Sequence, residues 1–218
     1  MILKRIDSKI LTHDVRSYVF VAEEPLHFIA GQFVQLKQPG AEQKLARAFS
    51  MASKPNQTEV TFLMKHNPEG HVSGYAALPQ EHISLESSAP LGRFTLDPND
   101  SDRIFVATGT GLAPIISFIE TIEAEKISIP FTTIFGVRHE SDLFWTEKLP
   151  SESLITLSQP SENWSGLQGR VTEFIPALLA EHLHAAWYIC GNPEMVKSVR
   201  ELLLAAQIKP AAIHFEIY

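Results

Sequence analysis

Three separated groups of residues in this chain have the types and spacing needed to hold redox cofactors. The first is Arg47-Ala48-Phe49-Ser50, in which an arginine precedes an aromatic ring and a hydroxyl. The others are Gly109-Thr110-Gly111-Leu112-Ala113-Pro114 and Cys190-Gly191-Asn192-Pro193. An arginine binds a phosphate through two parallel hydrogen bonds, and glycines let backbone N–H groups approach a pyrophosphate. The first group therefore suits a flavin nucleotide, and the other two suit a nicotinamide dinucleotide.

The arginine group has two interpretations. If the segment is extended, Arg47 and Phe49 share one face. Arg47 would then bind a flavin phosphate, Phe49 would stack on the isoalloxazine ring, and Ser50 would hydrogen-bond the ring edge. The alternative is an ordinary strand with one exposed arginine.

The glycine group follows a buried strand and opens a predicted helix. Pro114 suits the first turn of that helix, whose N-terminus favours phosphates. The third glycine of the common dinucleotide fingerprint is absent, and no acidic residue ends the second strand. A plain strand-to-helix turn is therefore the alternative.

Cys190 ends a later strand of the same predicted sheet. Ligands of open parallel sheets bind outside the carboxyl ends of the strands, so Gly111 and Cys190 are expected to face one crevice. The alternative for Cys190 is a small buried hydrophobe.

The pattern of predicted strands and helices that must position these groups changes near Asp97–Asp102, a polar run that we interpret as a linker. Residues 1–97 are predicted to form a flavin-binding antiparallel β-barrel domain, and residues 98–218 a nicotinamide-nucleotide-binding α/β domain with a parallel sheet. The predicted barrel elements are strands Ser17–Ala22, Phe33–Lys37 and Val60–Lys65, with a short helix Ser73–Leu78.

Strands and helices alternate in the predicted second domain. The predicted strands are Arg103–Ala107, Phe131–Phe135, Leu154–Leu157, Ala186–Ile189 and Ile213–Tyr218. The predicted helices are Ala113–Glu125, one around Leu143–Leu149, Val171–Leu183 and Pro193–Ala206.

Composition excludes several classes of protein. The 218 residues allow two domains of about 100 residues each. A net charge of −7 argues against a nucleic-acid partner. The one cysteine excludes an intrachain disulfide and an all-cysteine iron–sulfur cluster within this sequence, and it favours a reducing, cytoplasmic location. The apolar start is too short for a signal peptide or a membrane span. No His-Glu-x-x-His spacing occurs, and no metal site is predicted.

The three groups, in this order, resemble motifs of the ferredoxin–NADP reductase superfamily. Arg47-Ala48-Phe49-Ser50 resembles its flavin motif Arg-x-Tyr/Phe-Ser, and the later groups resemble its Gly-Thr-Gly-x-Ala-Pro and Cys-Gly-x-Pro elements. Gly70-His71-Val72-Ser73 resembles its flavin-pyrophosphate segment, and Pro90–Phe94 its closing barrel strand. The similarity covers essentially the whole chain.

This resemblance implies cofactors and site residues. FAD and NAD(P)H are the expected cofactors, and Ser50, Cys190, Glu216 and Tyr218 are the expected catalytic residues. Expected flavin-binding residues are Arg47, Ala48, Phe49, Ser50, Met64, Lys65, His66, Gly70, His71, Val72, Ser73 and Tyr218. Expected dinucleotide-binding residues are Gly109, Thr110, Gly111, Arg138, Cys190, Gly191, Asn192 and Pro193.

The resemblance also implies an activity. We expect hydride to pass from NAD(P)H to FAD and electrons to pass to a separate ferredoxin, flavodoxin or oxygenase component. Ser158-Gln159 stands where NADPH-selecting members often carry Ser-Arg, which favours NADH, although Arg138 keeps NADPH open. The alternatives are an NAD(P)H:flavin reductase that uses free flavin as a substrate and a non-catalytic nucleotide-binding regulatory subunit.

Overall fold

A computed structural model describes residues 1–80 and 82–217 of the chain, which form two compact units. The first unit comprises Met1–Leu96 and Ile116–Ala124, and the second comprises Asp97–Ile115 and Glu125–Tyr218. Part of one helix thus belongs with the first unit, and the domain boundary between residues 97 and 98 stays a prediction.

The first unit is a curled antiparallel sheet of six strands with the order β4-β3-β6-β1-β2-β5. A bridge between Met51 and Phe62 links its two edges. One short helix, α1, spans Ser73–Ala76. The strands are β1 (Ile2–Ile10), β2 (Val15–Leu26), β3 (Phe33–Lys37), β4 (Arg47–Ser50), β5 (Gln57–Lys65) and β6 (Ser84–Ser87).

Alternating side chains build the core of this unit. In β3, Val34 and Leu36 are fully buried while their neighbours are half-buried. Phe20 of β2 packs against Phe62 of β5 in an edge-to-face contact with ring centroids 6.0 Å apart. Because one face of each strand is apolar, the sheet curls around a single core.

The second unit is a parallel sheet of six strands with the order β10-β9-β8-β7-β11-β12. All six residues of β11 are buried, as are the first five of β7, which is typical of strands covered on both faces. The predicted combination of a barrel and an α/β sheet is therefore confirmed. The elements after the first six strands are β7 (Arg103–Thr108), α2 (Leu112–Glu125), β8 (Phe131–Val137), β9 (Leu154–Leu157), β10 (Leu167–Gln168), α3 (Val171–Glu181), β11 (Ala186–Gly191), α4 (Pro193–Ala205) and β12 (Ile213–Ile217). All belong to the second unit except residues Ile116–Ala124 of α2.

Two local predictions were wrong. No α-helix forms around Leu143–Leu149, where the chain makes a short 3₁₀ turn at Thr146–Lys148 that follows another at Glu140–Asp142. Trp145 adopts a left-handed conformation with φ +53°, which a right-handed helix cannot contain. The segment Pro90–Phe94 is not a strand, since it contributes a single bridge between Leu91 and Phe33.

Residues 97–102 are attached to the second unit rather than acting as a free linker. Arg103 is only 1% exposed; its Nη2 donates to the carbonyl of Asp97 (2.8 Å) and its Nε to the carboxylate of Asp100 (3.3 Å). The hydroxyl of Tyr188 donates to Asp100 (2.6 Å) and accepts from the backbone N–H of Asp97 (2.8 Å). These bonds fix the segment to the start of β7 and to β11.

Candidate active site

β4 carries the predicted flavin residues at an edge of the antiparallel sheet. It pairs with β3, where Ser50 lies opposite Phe33. Arg47 and Ala48 are exposed, whereas Phe49 is half-buried and packs against the barrel core. Ser50 is buried. The predicted extended conformation is confirmed, so Arg47 and Phe49 share a face of the strand.

The guanidinium of Arg47 is held on one side. Its Nη1 donates to the carbonyls of Lys44 (3.1 Å) and Ala46 (2.8 Å). Among the residues that the structure describes, no acceptor engages its Nη2 or Nε. The pair of donors that binds a phosphate in parallel is therefore available on an exposed, oriented side chain.

A tight turn organises the predicted pyrophosphate segment. The Ser73 hydroxyl accepts the N–H of Asn67 (3.2 Å), and the N–H of Gly70 donates to the carbonyl of Asn67 (2.9 Å). A Cβ at Gly70 would lie 2.7 Å from Ser73 Oγ and 3.0 Å from the Asn67 carbonyl, so a side chain there would displace the Ser73 hydroxyl. The side-chain amide of Gln38 donates to the carbonyl of His71 (2.6 Å). Ser73 is buried and begins α1.

The other predicted flavin residues differ in what they can offer. Met64 and Val72 are buried in the barrel core, so only their backbones can reach a ligand. Lys65 is exposed and pairs with Asp14 at 3.1 Å. The Nδ1 atom of His66 is buried and has no hydrogen-bond partner among the described residues. This orphaned polar atom and the available donors of Arg47 fit a polar, phosphate-bearing ligand such as FAD.

In the second unit, the two glycines of the predicted dinucleotide turn have different structural roles. Gly109 has φ +55°, and nothing lies within 4 Å of the place where its Cβ would be. A Cβ at Gly111 would overlap the backbone carbonyl of Cys190. Gly109 thus leaves open space at the end of β7, whereas Gly111 allows this turn to touch the end of β11.

Thr108 joins the same two loops. The N–H and the side-chain amide of Asn192 each donate to the Thr108 hydroxyl at 3.4 Å. Gly191 has φ +154°, and a Cβ there would overlap Thr108 Oγ1. Asn192 also caps α4, whose first residue is Pro193, by accepting the N–H of Met195 (2.9 Å). The structure therefore brings the glycine group and the cysteine group together, as the sequence predicted for Gly111 and Cys190. Open space above a glycine at a helix start fits a pyrophosphate.

Cys190 is a buried, neutral thiol. It lies in register with Ala107 of β7 and Glu216 of β12, so the three side chains form a row across the sheet. Burial raises the pKa of the Cys190 thiol well above its usual value, and the Glu216 carboxylate raises it further. A thiol held neutral by burial is a poor nucleophile.

We expect Cys190 to resist a thiol reagent such as DTNB in the native protein at about pH 8, because only an accessible thiolate reacts readily. After unfolding in guanidinium chloride, one thiol per chain should react, since the sequence has one cysteine. The unfolded sample is the internal control, and rapid labelling of the native protein would contradict the buried, neutral state.

Several other placements complete the site. Arg138 is exposed just after β8, and Thr110 is half-buried in the glycine turn. Tyr218 lies outside the described residues. Sequence reasoning missed Thr108 and Asn67; the signal for both was a polar residue one to three positions before a glycine.

Two features are absent from the described residues. No helix there combines the length and apolar character needed to cross a bilayer. Over the same part of the chain, no group of three or more His, Cys, Asp or Glu side chains is arranged to hold a metal ion.

Comparison with known proteins decides the family. The protein-family model of the oxidoreductase FAD-binding domain matches residues 3–96, and the family model of the oxidoreductase NAD-binding domain matches residues 105–201. Ferredoxin–NADP reductase B of Sorangium cellulosum is 32% identical over 80% of this chain and 78% of its own length. The chain belongs to the ferredoxin–NADP reductase superfamily. Its cofactor-binding domains are those for FAD and a nicotinamide dinucleotide, as predicted.

Other members of this superfamily are longer. The toluate 1,2-dioxygenase electron transfer component of Pseudomonas putida is 32% identical over 88% of this chain, which spans 59% of that relative. The solved ferredoxin reductase in carbazole 1,9a-dioxygenase matches the fold with a TM-score of 0.88 at 22% identity, over 100% of this chain and 68% of that one. The chain thus spans somewhat more than half the length of several reductase-superfamily relatives.

Proposed function

We propose that this chain passes hydride from NAD(P)H to FAD and passes the electrons on to a separate acceptor. One observation carries the proposal: the same chain holds an oxidoreductase FAD-binding unit with unengaged Arg47 donors and an oxidoreductase NAD-binding unit with open space over Gly109.

The residues have distinct proposed tasks. Bound FAD would supply a hydride acceptor that can release its electrons one at a time. Arg47 and Ser73 would bind the diphosphate, and Phe49 would support the ring. Ser50 would donate to the ring edge.

On the dinucleotide side, Thr110 and the turn backbone would hold the pyrophosphate. Cys190 would pack against the nicotinamide as a neutral group. Glu216 and Tyr218 are assigned on the family resemblance, with Glu216 supported by its register with Cys190.

The acceptor is proposed to be a ferredoxin or an oxygenase component. The sequence has one cysteine, so a cluster held by four cysteines must lie outside these 218 residues. The toluate 1,2-dioxygenase relative is itself called an electron transfer component. Flavodoxin and free flavin are the other candidate acceptors, and the experiment below separates free flavin from a protein acceptor.

We propose that NADH is the preferred nucleotide. Ser158 and Gln159 provide no positive charge after β9. Glu140 follows β8, and its Oε1 accepts both the N–H (2.9 Å) and the hydroxyl (2.5 Å) of Ser161. The Ser161 hydroxyl bond lowers the pKa of Glu140, which keeps the carboxylate ionised. A fixed negative charge at the ends of β8 and β9 disfavours a 2′-phosphate and offsets Arg138.

Replacing Glu140 with glutamine is expected to raise the ratio of kcat/KM for NADPH to that for NADH on the order of fivefold. Glutamine keeps the size of the side chain but removes the charge that repels the phosphate. The matched control is Glu147→Gln, an exposed carboxylate on the same stretch of chain. An unchanged ratio in Glu140→Gln would contradict the assignment, and an equal change in Glu147→Gln would reduce it to a net-charge effect.

A visible absorption spectrum, followed by anaerobic NADH and then NADPH, tests the proposed function. A bound flavin spectrum that bleaches supports a reductase with resident FAD, and electron transfer can then be measured with a ferredoxin added as acceptor. A colourless protein that reduces added flavin would point to a flavin reductase. A colourless protein inert with added FAD would overturn the proposal.

A further inference from the structure

Arg5 of β1 lies far along the chain from the proposed diphosphate segment but holds the helix attached to it. Its Nη1 donates to the carbonyls of Ala76 (2.5 Å) and Leu78 (2.9 Å), and its Nη2 donates to the carbonyl of Gln80 (2.6 Å). β1 changes register between Arg5 and Asp7, and this irregularity lies beside the side chain that makes the three bonds.

The helix α1 depends on such external support. It contains four residues and has no basic side chain in its last turn. A helix of this length is unstable alone, and its last carbonyls lack partners within the helix. Arg5 supplies a donor to the carbonyl of Ala76, the last helical residue, and further donors to Leu78 and Gln80 just beyond it. It also places a positive charge at the C-terminal end, where the helix dipole favours one.

The other end of α1 belongs to the proposed flavin site. Ser73 is its first residue, and the N–H of Gly74 donates to the carbonyl of Gly70 (2.9 Å). The four helical residues from Ser73 to Ala76 connect the diphosphate turn directly to the first carbonyl that Arg5 holds, that of Ala76. A displacement at the Arg5 end would therefore be transmitted to Ser73.

We propose that Arg5 is a positioning residue for the FAD diphosphate. By fixing the C-terminal end of α1, it holds Ser73 and the turn that begins at Gly70 in the geometry that binds the ligand. This inference rests on the proposed function, which assigns the FAD diphosphate to this turn. Arg5 acts through the backbone carbonyls of residues 76–80, not by touching the ligand.

The test is a double-mutant cycle on FAD affinity, measured by titrating the apoprotein and following flavin fluorescence. Arg5→Gln is expected to raise the Kd for FAD about tenfold, and Arg5→Lys is expected to raise it less, because lysine keeps the charge. In a Ser73→Ala background, either Arg5 substitution should raise the Kd for FAD by a smaller factor than it does in the wild-type background, because the contact that a misplaced Ser73 would lose is already absent. Thermal unfolding of each apoprotein runs in parallel.

Independent, multiplicative losses would overturn the inference, because a purely structural role lowers stability without coupling to Ser73. An unchanged Kd in Arg5→Gln would also overturn it. If that variant does not fold, the cycle is completed with Arg5→Lys. Lys4→Gln is the matched control, because Lys4 is an exposed neighbour that pairs only at the surface with Glu23. Failure of the wild-type protein to bind FAD would instead overturn the proposed function, and this inference with it.

Discussion

Gly111→Ala is expected to destabilise the second unit and to prevent it from binding NADH. The new methyl group would overlap the backbone carbonyl of Cys190, and backbone atoms cannot move aside as a flexible side chain can. We expect a loss of about 3 kcal/mol in the free energy of unfolding, at the upper end of overpacking costs, together with loss of NADH binding. Urea unfolding followed by tryptophan fluorescence measures the first effect, and isothermal titration with NADH measures the second.

Gly109→Ala separates packing from ligand binding. Gly109 has φ +55° with nothing within 4 Å of its Cβ position, so alanine there meets no atom. The left-handed conformation costs about 1–2 kcal/mol. We expect NADH affinity to fall about tenfold, because the methyl group occupies space proposed for the pyrophosphate. Normal NADH affinity in Gly109→Ala would show that the space is unused, and native stability in Gly111→Ala would contradict the close approach of the two loops.

Arg47→Ala is expected to weaken FAD binding far more than it slows hydride transfer. Hydrogen bonds to a charged group contribute about 1.5–3 kcal/mol, so the Kd for FAD should rise about 10- to 150-fold. The rate of flavin reduction at saturating FAD should change little, because the phosphate contact is the same before and after the reaction. Fluorescence titration gives the Kd, and stopped-flow absorbance with NADH gives the rate.

Lys44→Ala is the matched control for Arg47→Ala. Lys44→Ala removes one positive charge, as Arg47→Ala does. Lys44 lies three residues earlier, is 73% exposed and pairs with Glu42. Its FAD affinity should remain close to that of the wild type. Equal losses of affinity and of saturated rate in Arg47→Ala would contradict the phosphate assignment.

Two strands have the bounds that the sequence predicted, and in β3 alternating burial explains the success. β3 and β9 have the predicted bounds, Phe33–Lys37 and Leu154–Leu157. β1 escaped prediction because Leu3 is the one buried side chain among its nine residues, so no two-residue period is visible. The helix expected near Leu143 failed because Phe144 and Trp145 are buried through a left-handed turn, which an apolar pattern alone cannot distinguish from a helix.

The sequence predicted which residue types form the site but not what each of them contacts. The glycines of the dinucleotide turn were both interpreted as making room for phosphates. Only Gly109 leaves open space, because a Cβ at Gly111 would overlap the backbone of Cys190, which lies far along the chain and cannot be found from local spacing. The support that α1 receives from Arg5 is equally non-local. Sequence motifs identify the cofactors that a loop suits, whereas contacts between distant segments decide which residues hold the loop in place.

The buried guanidinium at the start of β7 has a consequence for domain exchange. The positive charge of Arg103 is buried, so it needs the Asp100 carboxylate and the Asp97 carbonyl wherever the NAD-binding unit is transplanted. A chimera whose junction lies before Asp97 carries this counterion with it. A junction at Arg103 separates the charge from its partners and should give an insoluble or misfolded module. Chimeras with related superfamily members should therefore fold when the junction lies before residues 97–102 and fail to fold when it lies within them.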